Sequence, residues 1–319
     1  MIQPDPKKII LGTRGSELAL TQARMVQAAL EHKVRGLTVE IRIVQTIGDK
    51  RPDLRLSDFG TGPEPVDKGI FTRELEIALK AGEIDIAVHS LKDVPTELDD
   101  GFAITAVLSR APVEDVLLTK VAGGIDGLPA GARVATSSVR RARQLRWLRP
   151  DLDIVEIRGN VATRINKLAQ STELLGTMLA KAGLVRLGLL SEDGTTLPQW
   201  PELHVKVLGA TEFLPAASQG AVGIEVRSDV RPEVHEALAA INDAETMIQV
   251  TAEREFLHLL QAGCQTPVGL RSVIRGGELE LAALVFDDDD STAKPKSGSA
   301  TGNAMNPKGI ARALFEGLR

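Results

Sequence analysis

One short stretch, Ile84 to Pro95 (IDIAVHSLKDVP), constrains the fold of this chain more than any other. Ile84, Ile86 and Val88 form a nearly continuous apolar run, which is typical of a strand that helices cover on both faces of a parallel sheet. In open α/β sheets, ligands bind just beyond the carboxyl ends of the strands. The stretch therefore predicts an α/β fold with a ligand site directly after this strand.

The polar residues that follow this strand are the first candidates for the site. The chain places Ser90, Lys92 and Asp93 at the predicted ligand edge. Because Pro95 disfavours a helical conformation at Val94, we expect Asp93 on a loop that is fixed at both ends. Taken alone, the stretch also fits an ordinary turn in which Lys92 and Asp93 are surface charges.

The first hundred residues repeat the order strand, helix, strand, helix, strand, which predicts a parallel-sheet unit. Ser16 is a predicted N-cap with Glu17 in the favoured first turn. Arg14 precedes it at the same edge, where it fits either a ligand contact or a surface salt bridge. The predicted elements are strands at Lys8 to Leu11, Thr38 to Thr46 and from Ile84, and helices at Glu17 to His32 and Phe71 to Lys80.

Arginine dominates the segment from Thr136 to Arg164, which holds seven arginines, no lysine and three acidic residues. A guanidinium binds a carboxylate or a phosphate through two parallel hydrogen bonds, which lysine cannot do. Two predicted strand-to-helix junctions aim these arginines at one sheet edge, where helix N-termini also favour anions. We expect a polyanion site formed by Arg140, Arg141, Arg158 and Arg164, whereas Arg143, Arg146 and Arg149 fit a solvated helix face.

The remaining third of the chain contributes a crossover, a long helix and a cysteine. Glycines that follow Ser218 and Gln219 predict close backbone approach, such as a crossover between domains. Asp243 is predicted to cap a helix that ends before Cys264, which lies in an accessible polar loop. Further predictions are strands at Ala103 to Leu108, Glu114 to Thr119, Arg133 to Thr136, Ile154 to Ile157 and Leu279 to Val285, a strand or buried turn at Met178 to Leu184, a solvated loop after Asp287 and a last helix at Pro307 to Glu316.

Composition narrows the classes of function. A chain of 319 residues with 43% hydrophobic and 25% charged residues predicts a globular protein of two or three domains. Its net charge of −5 and its lack of tyrosine argue against nucleic acid as a partner. The apolar runs are too short for a membrane span or a signal-peptide core, so we expect a cytoplasmic location. A single cysteine and five scattered histidines argue against a disulfide and a metal site.

Seven motifs, in this order, resemble those of the porphobilinogen deaminase (hydroxymethylbilane synthase) family. They are LGTRGSELAL, DKGIFTRELE, DIAVHSLKDVP, TSSVRRARQL, RGNVATR, QGAVGIE and GCQTPVG. The resemblance implies two lobes like those of type II periplasmic binding proteins and a small C-terminal α/β domain. The implied bounds are 1–110 with 218–240 for domain 1, 111–217 for domain 2 and 241–319 for domain 3.

The resemblance also implies a reaction, in which four porphobilinogen molecules are joined head to tail with loss of ammonia to give hydroxymethylbilane. Cys264 matches the residue that carries a covalent dipyrromethane cofactor through a thioether. Asp93 matches the catalytic carboxylate, which would stabilise the positive charge of the pyrrole intermediate and move protons. Lys92 would orient Asp93 or hold a substrate carboxylate. The protein is expected to be a monomer without a metal, a nucleic-acid partner or a membrane partner.

The family's binding residues carry over to this sequence by position. Each substrate unit brings two carboxylates, so an arginine-lined site suits the growing chain. Residues that match cofactor-binding positions are Ser90, Thr136, Ser137, Ser138, Arg140 and Arg141. Residues that match substrate-binding positions are Arg14, Ser16, Gln22, Phe71, Arg158, Arg164 and Gln219.

Some segments depart from the family pattern. The stretch Ser171 to Met178 and Lys181 are unusual for the family, so the position of the strand in this segment is not fixed by the resemblance. The loop Leu56 to Val66 is long, and Lys68 lacks the usual preceding Gly-Gly. The acidic run that begins at Asp287 is also unusual. Two other classes of function stay open on the residues alone: a non-catalytic two-lobed protein that binds a carboxylate ligand, and RNA binding by the arginine-rich helix.

Overall fold

The structure, a computed structural model, describes residues 8–45, 72–262, 266–287 and 293–319 of the chain. These residues form a mixed α/β protein, which confirms the predicted fold class. The chain divides into two compact units, Met1–Arg110 with Ala221–Met247 and Ala111–Gly220 with Ile248–Arg319. The three-domain division with the bounds given above stays a prediction.

The described residues contain the following elements. The strands are β1 Lys8–Thr13, β2 Thr38–Ile43, β3 Ile86–Ser90, β4 Phe102–Val107, β5 Asp115–Thr119, β6 Arg133–Ala135, β7 Asp153–Val155, β8 Leu174–Ala180, β9 His204–Leu208, β10 Val222–Arg227, β11 Val268–Arg275, β12 Glu278–Val285 and β13 Lys296–Asn303. The helices are α1 Glu17–Lys33, α2 Arg73–Lys80, α3 Gly124–Gly127, α4 Val139–Leu148, α5 Val161–Gln170, α6 Lys181–Arg186, α7 Pro232–Ile241, α8 Ala244–Leu259 and α9 Pro307–Gly317.

The sheet of the first unit has the order β2-β1-β3-β10-β4. β1 runs parallel to β2 and β3, as the βαβαβ pattern predicts, whereas β10 runs antiparallel to β3 and β4. β4 therefore runs in the same direction as β3, and β10 is the reversed strand of this described sheet. The direction of β10 differs because this strand enters the sheet after a long excursion of the chain instead of a helical crossover. The apolar faces of α1 and α7 cover one side of this sheet and α2 covers the other.

The sheet of the second unit repeats this plan with the order β7-β6-β8-β5-β9. β6 runs parallel to β7 and β8, and β5 runs antiparallel to β8 and β9. The strand that the sequence left open between Ser171 and Lys181 is β8. The predicted strand or buried turn from Met178 to Leu184 is confirmed as a strand up to Ala180 and is wrong from Lys181, where α6 begins. The sequence did not predict β9, β10, β11, α3 or α7.

A third sheet, antiparallel with the order β11-β12-β13, packs against α8 and α9 in the second unit. The predicted solvated loop is wrong for Lys296–Asn303, which forms the edge strand β13. Its inward positions, Gly298, Ala300 and Gly302, are small because α9 approaches closely there. A Cβ at Gly302 would lie 3.2 Å from Cγ1 of Ile310. The strand was missed because its buried face has almost no apolar side chains to reveal period two.

Candidate active site

Three parallel strands of the first unit end at one edge and present the predicted catalytic residues there. β1 ends at Thr13 and β3 ends at Ser90, so Arg14 and Ser90 follow neighbouring parallel strands. The carboxyl ends of parallel strands form the ligand edge of an α/β sheet. The structure therefore places Arg14 and the turn after Ser90 where the sequence predicts them.

Asp93 is the last residue of a single 3₁₀ turn, Leu91–Asp93. Leu91, the first residue of the turn, and Val94, which follows it, anchor the turn. Leu91 and Val94 are buried, and the Val94 N–H donates to the Leu91 carbonyl at 3.3 Å. Lys92 and Asp93 are exposed between them. The expected loop is thus a short helical turn, which Val94 ends, and it holds the carboxylate at the surface of the sheet edge.

The turn is held close to β10 because Gly223 has no side chain. A Cβ at Gly223 would lie 2.8 Å from Cδ1 of Leu91. The Leu91 N–H also donates to the carbonyl of Ala221 at 3.1 Å. The QGAVGIE motif therefore supports the Leu91–Asp93 turn from the neighbouring strand, a role that the sequence did not suggest.

Two predicted binding residues of α1 support the same edge. Ser16 caps α1, since its side chain accepts a hydrogen bond from Ala19 N at 3.3 Å, as predicted. Gln22 is buried, and its Nε2 donates to the Ser90 hydroxyl at 2.8 Å. The structure thus brings Gln22 and Ser90 together and ties α1 to the end of β3.

The hydroxyl residues that precede α4 form its N-terminal cap. The Ser138 side chain accepts from Arg141 N at 3.4 Å, and Thr136 Oγ1 accepts from Ser138 N at 3.2 Å. The Ser137 hydroxyl donates to the carbonyl of Ile157, which follows β7. These bonds fix the first turn of α4 against the adjacent strand end.

Arg140 and Arg141 are buried in this first turn, with only 4% and 5% of their surfaces exposed. Both bind Asp115, which begins β5 and is fully buried. Arg141 donates to Asp115 Oδ1 from Nε at 3.0 Å and from Nη2 at 2.7 Å. Arg140 Nη1 lies 2.7 Å from Asp115 Oδ2 and donates to the Leu214 carbonyl at 2.6 Å. The sequence predicted these arginines at the site but did not anticipate Asp115.

The charges in this triad shift the acid–base properties of its members. Burial alone would raise the pKa of Asp115, but the positive charges of Arg140 and Arg141 outweigh burial and hold that pKa well below its ordinary value. Burial lowers the pKa of Arg140, and the nearby Asp115 carboxylate opposes that effect. Asp115 is therefore ionised throughout the ordinary pH range.

Arg158 and Arg164 lie at the next strand-to-helix junction, between β7 and α5, and both are half-buried. Arg158 Nη2 lies 2.6 Å from Glu156 Oε1, and Arg164 Nε donates to the Gly159 carbonyl at 2.8 Å. Gly159 has a φ of 119°, and a Cβ there would lie 2.6 Å from Thr163 Cγ2. Because β6 and β7 are parallel, this junction and the start of α4 share one sheet edge, as predicted.

Gln219 belongs to the same buried cluster as Asp115. Its Nε2 donates to Asp115 Oδ1 at 3.0 Å and to the Val113 carbonyl at 2.6 Å. Ser218 has a φ of 60°, which is uncommon for a residue with a side chain, and its N–H donates to Glu253 Oε2 at 2.6 Å. The predicted crossover is therefore fastened by both of these residues within the second unit.

The sequence also missed Arg186, which lies at the end of α6. Its Nη2 donates to the Gly220 carbonyl at 2.6 Å, and burial lowers its pKa. The sequence signal is one arginine in the stretch LAKAGLVRLG, whose other residues are apolar or small except for Lys181. The predicted strand or turn ends at Leu184, two residues before Arg186. Arg186 adds a third arginine-bearing segment to the two described above, the start of α4 and the junction before α5.

Several predicted site residues lie outside the residues that the structure describes. They include Cys264, Phe71 and Lys68. The loop from Leu56 to Val66 and the acidic residues 288–290 lie outside them as well. Within the described ranges, no three His, Cys, Asp or Glu side chains are grouped as a metal site. No helix of the described chain is long and apolar enough to cross a membrane.

The residues of the second unit suit a ligand that carries several carboxylates, such as dipyrromethane. The buried Nε of Arg140 has no hydrogen-bond partner among the described residues, and neither has that of Arg158. A guanidinium N–H that is buried without an acceptor is costly, so a carboxylate would stabilise it.

Solved structures of low similarity include two transporter components. One is the second substrate binding domain of a putative amino acid ABC transporter from Streptococcus pneumoniae, with a TM-score of 0.43 and 12% identity, covering 78% of this chain and 96% of that one. The other is a probable amino-acid ABC transporter extracellular-binding protein from Bacillus subtilis, with a TM-score of 0.40 and 13% identity, covering 76% and 95% of the two chains.

Comparisons with family profiles and with individual relatives all identify the same family. Residues 9–235 match the family profile "Porphobilinogen deaminase, dipyromethane cofactor binding domain", and residues 247–316 match "Porphobilinogen deaminase, C-terminal domain". The porphobilinogen deaminase of Syntrophobacter fumaroxidans is 42% identical over 91% of this chain and 89% of its own length. That of Rubrobacter xylanophilus is 45% identical over 88% of this chain and 85% of its own. The chain belongs to the porphobilinogen deaminase family.

Proposed function

We propose that this protein joins four porphobilinogen molecules head to tail, with loss of ammonia at each step, and releases hydroxymethylbilane. The observation that carries the proposal is the position of Asp93. Its carboxylate is exposed on a one-turn helix between the buried Leu91 and Val94, at the carboxyl edge of three parallel strands. A non-catalytic anion-binding protein needs no such carboxylate, and family membership favours the enzyme.

Asp93 has the position and chemistry that the reaction needs. Loss of the amino group from porphobilinogen leaves positive charge on the pyrrole, which a fixed carboxylate stabilises. The same carboxylate can pass a proton to the leaving amine and take one from the carbon at which the new bond forms. Lys92, next to it on the turn, would hold a substrate carboxylate or orient Asp93.

The remaining site residues would hold the acid side chains of the growing chain. In the second unit, the start of α4 and the junction before α5 supply guanidinium groups at one sheet edge. In the first unit, Arg14 and the pair Gln22–Ser90 lie beside the catalytic turn. Each charge-assisted hydrogen bond contributes roughly 1.5–3 kcal/mol, so a polyanion can be held through several additions.

Dipyrromethane is the cofactor that the family profile names, and Cys264 is the chain's only cysteine. When bound, the cofactor supplies the pyrrole carbon to which the first substrate is joined. Arg140 and Arg141, with the capping hydroxyls of Thr136, Ser137 and Ser138, would hold its carboxylates. A thiolate is the reactive form of cysteine. Attachment also requires that the cofactor can reach the Cys264 side chain.

Three measurements test this function. Intact-mass analysis of the purified full-length protein should show a covalent dipyrromethane that is lost in Cys264→Ala, and the wild type should react with Ehrlich's reagent. Incubation with porphobilinogen should then release ammonia and a linear tetrapyrrole. A bare wild-type polypeptide that produces neither would refute the proposal.

We also propose that the enzyme acts as a monomer in the cytosol. A thiol that must stay reduced for cofactor attachment supports a reducing compartment. Sedimentation of the loaded enzyme should give one species of 34.1 kDa plus the cofactor, and cell fractionation should recover activity with cytosolic markers. A stable dimer or a periplasmic location would contradict these proposals.

A further inference from the structure

The first turn of α4 is an unfavourable place for two cations. Arg140 and Arg141 are the second and third residues of the helix, where the helix dipole is positive. They are adjacent in sequence and nearly fully buried, so they repel each other and lack hydration. The arrangement needs a compensating negative charge within the second unit.

Asp115 supplies that charge and also sets the geometry. One carboxylate oxygen receives Nε and Nη2 of Arg141, and the other faces Nη1 of Arg140. Gln219 donates to the first oxygen from the crossover segment. With two guanidinium groups and one carboxylate, the cluster keeps one net positive charge, which attracts an anion.

Further contacts hold the guanidinium groups in place around Asp115. Arg141 Nη1 donates to the Met178 carbonyl at 3.1 Å, and Arg140 Nη1 donates to that of Leu214. Gln144 fixes Leu214 by exchanging two hydrogen bonds with its backbone, at 2.8 and 2.9 Å. The Nε of Arg140 has no acceptor among the described residues, so its N–H is available to donate to a ligand.

We propose that Asp115 is the positioning residue of the cofactor site: it aligns Arg140 and Arg141 before the cofactor arrives and leaves one unit of positive charge for a cofactor carboxylate. The inference rests on the proposed function, because it assigns these arginines to dipyrromethane. Asp115 does not touch the cofactor and takes no part in the chemistry. Its loss should affect cofactor loading rather than the proton transfers at Asp93.

The test compares full-length Asp115→Asn, Asp115→Glu and wild type by intact mass, as purified and after incubation with porphobilinogen. Asp115→Asn should carry the cofactor in fewer than about a tenth of the chains, because a buried charge loses its partner. Asp115→Glu keeps the charge but displaces it, so its loading should be intermediate with an unchanged Tm. Wild-type loading in either folded variant would overturn the proposal, and if Asp115→Asn does not fold, Asp115→Glu alone decides.

Two control variants separate positioning from general loss of stability. Leu168→Ala opens a cavity in the core of the same unit, and Asp153→Asn breaks an exposed ion pair with Arg133. Both should stay fully loaded. If Leu168→Ala, with a Tm lowered as much as that of Asp115→Asn, lost the cofactor equally, the proposal would be overturned.

A second readout does not depend on the cofactor. Phenylglyoxal labels guanidinium groups, and peptide mass mapping locates the label. Arg140 and Arg141 should react slowly in the wild type and at least several-fold faster in folded Asp115→Asn. If the wild type cannot load a cofactor, the proposed function fails, but the labelling still tests the role of Asp115. Labelling of Arg140 and Arg141 that is the same in wild type and Asp115→Asn would overturn that positioning role.

Discussion

Nε2 of His89 lies 2.8 Å from Oε2 of Glu225, joining two buried side chains on neighbouring antiparallel strands. His89 lies immediately before Ser90, which is the N-cap residue of the turn that carries Asp93, and Glu225 is fully buried. We expect Glu225→Ala to destabilise the protein by about 3 kcal/mol or more, since a buried polar partner and its volume are both lost. Glu225→Gln keeps an acceptor and should cost less. Urea unfolding at pH 7 measures both values, and equal stability of the two variants would contradict the pairing.

Glu76 on α2 gives a prediction about pH. Burial raises the pKa of Glu76, and the nearby Glu225 adds to the effect. A carboxyl whose pKa is higher in the folded state favours folding while it is protonated. This stabilisation is fully present below the pKa of the unfolded state and is lost as pH rises through the pKa of the folded state. Glu76→Gln should therefore raise the Tm at pH 7 and change it little near pH 4. An increase that is the same at both pH values would show that ionisation is not the cause.

Asp93→Asn should keep the fold and the cofactor but lower turnover by at least ~100-fold, the usual scale for removing an electrostatic or acid–base group. The side chain is exposed, so its replacement should leave the Tm unchanged. Steady-state assays of ammonia release, with cofactor loading checked by mass, measure the effect. Asp99→Asn, an exposed carboxylate after the turn, serves as the matched control. Near-normal turnover in Asp93→Asn would remove the role we assign to it.

Arg158→Lys should slow chain elongation while leaving the cofactor in place. The charge is kept, but the planar fork that binds a carboxylate through two bonds is lost. Mass spectrometry of enzyme-bound intermediates should show an accumulated partial chain. Arg146→Lys on the exposed part of α4 is the control and should behave as the wild type. An unchanged distribution of intermediates in Arg158→Lys would contradict a binding role.

Local sequence predicts the sheet edges well because strand, turn and helix cap are short-range features. Ser16 and Asp243 cap the helices that they were predicted to cap, and Asp93 lies directly after its strand. The turn after β7 also places Arg158 as expected. Each of these depends on residues within a few positions of one another.

Long-range partners could not be predicted in the same way. Asp115 is 26 residues from Arg141 and 104 from Gln219, and it stands at the start of a strand with no local sign of a charge partner. Arg140 and Arg141 were expected at a ligand surface. They are instead almost fully buried and pair with Asp115. β13 escaped detection because its inward face is glycine and alanine. Burial and partner choice are set by the tertiary fold, which the periodicity of one segment does not encode.

The position of β10 between β3 and β4 has a consequence for biosynthesis. During translation, residues 8–107 leave the ribosome without the strand that later separates β3 from β4. More than a hundred further residues must be made before Val222–Arg227 can complete the sheet. Until then the edges of β3 and β4 that will pair with β10 lack this partner strand, so we expect chaperones to shield the nascent chain during this interval.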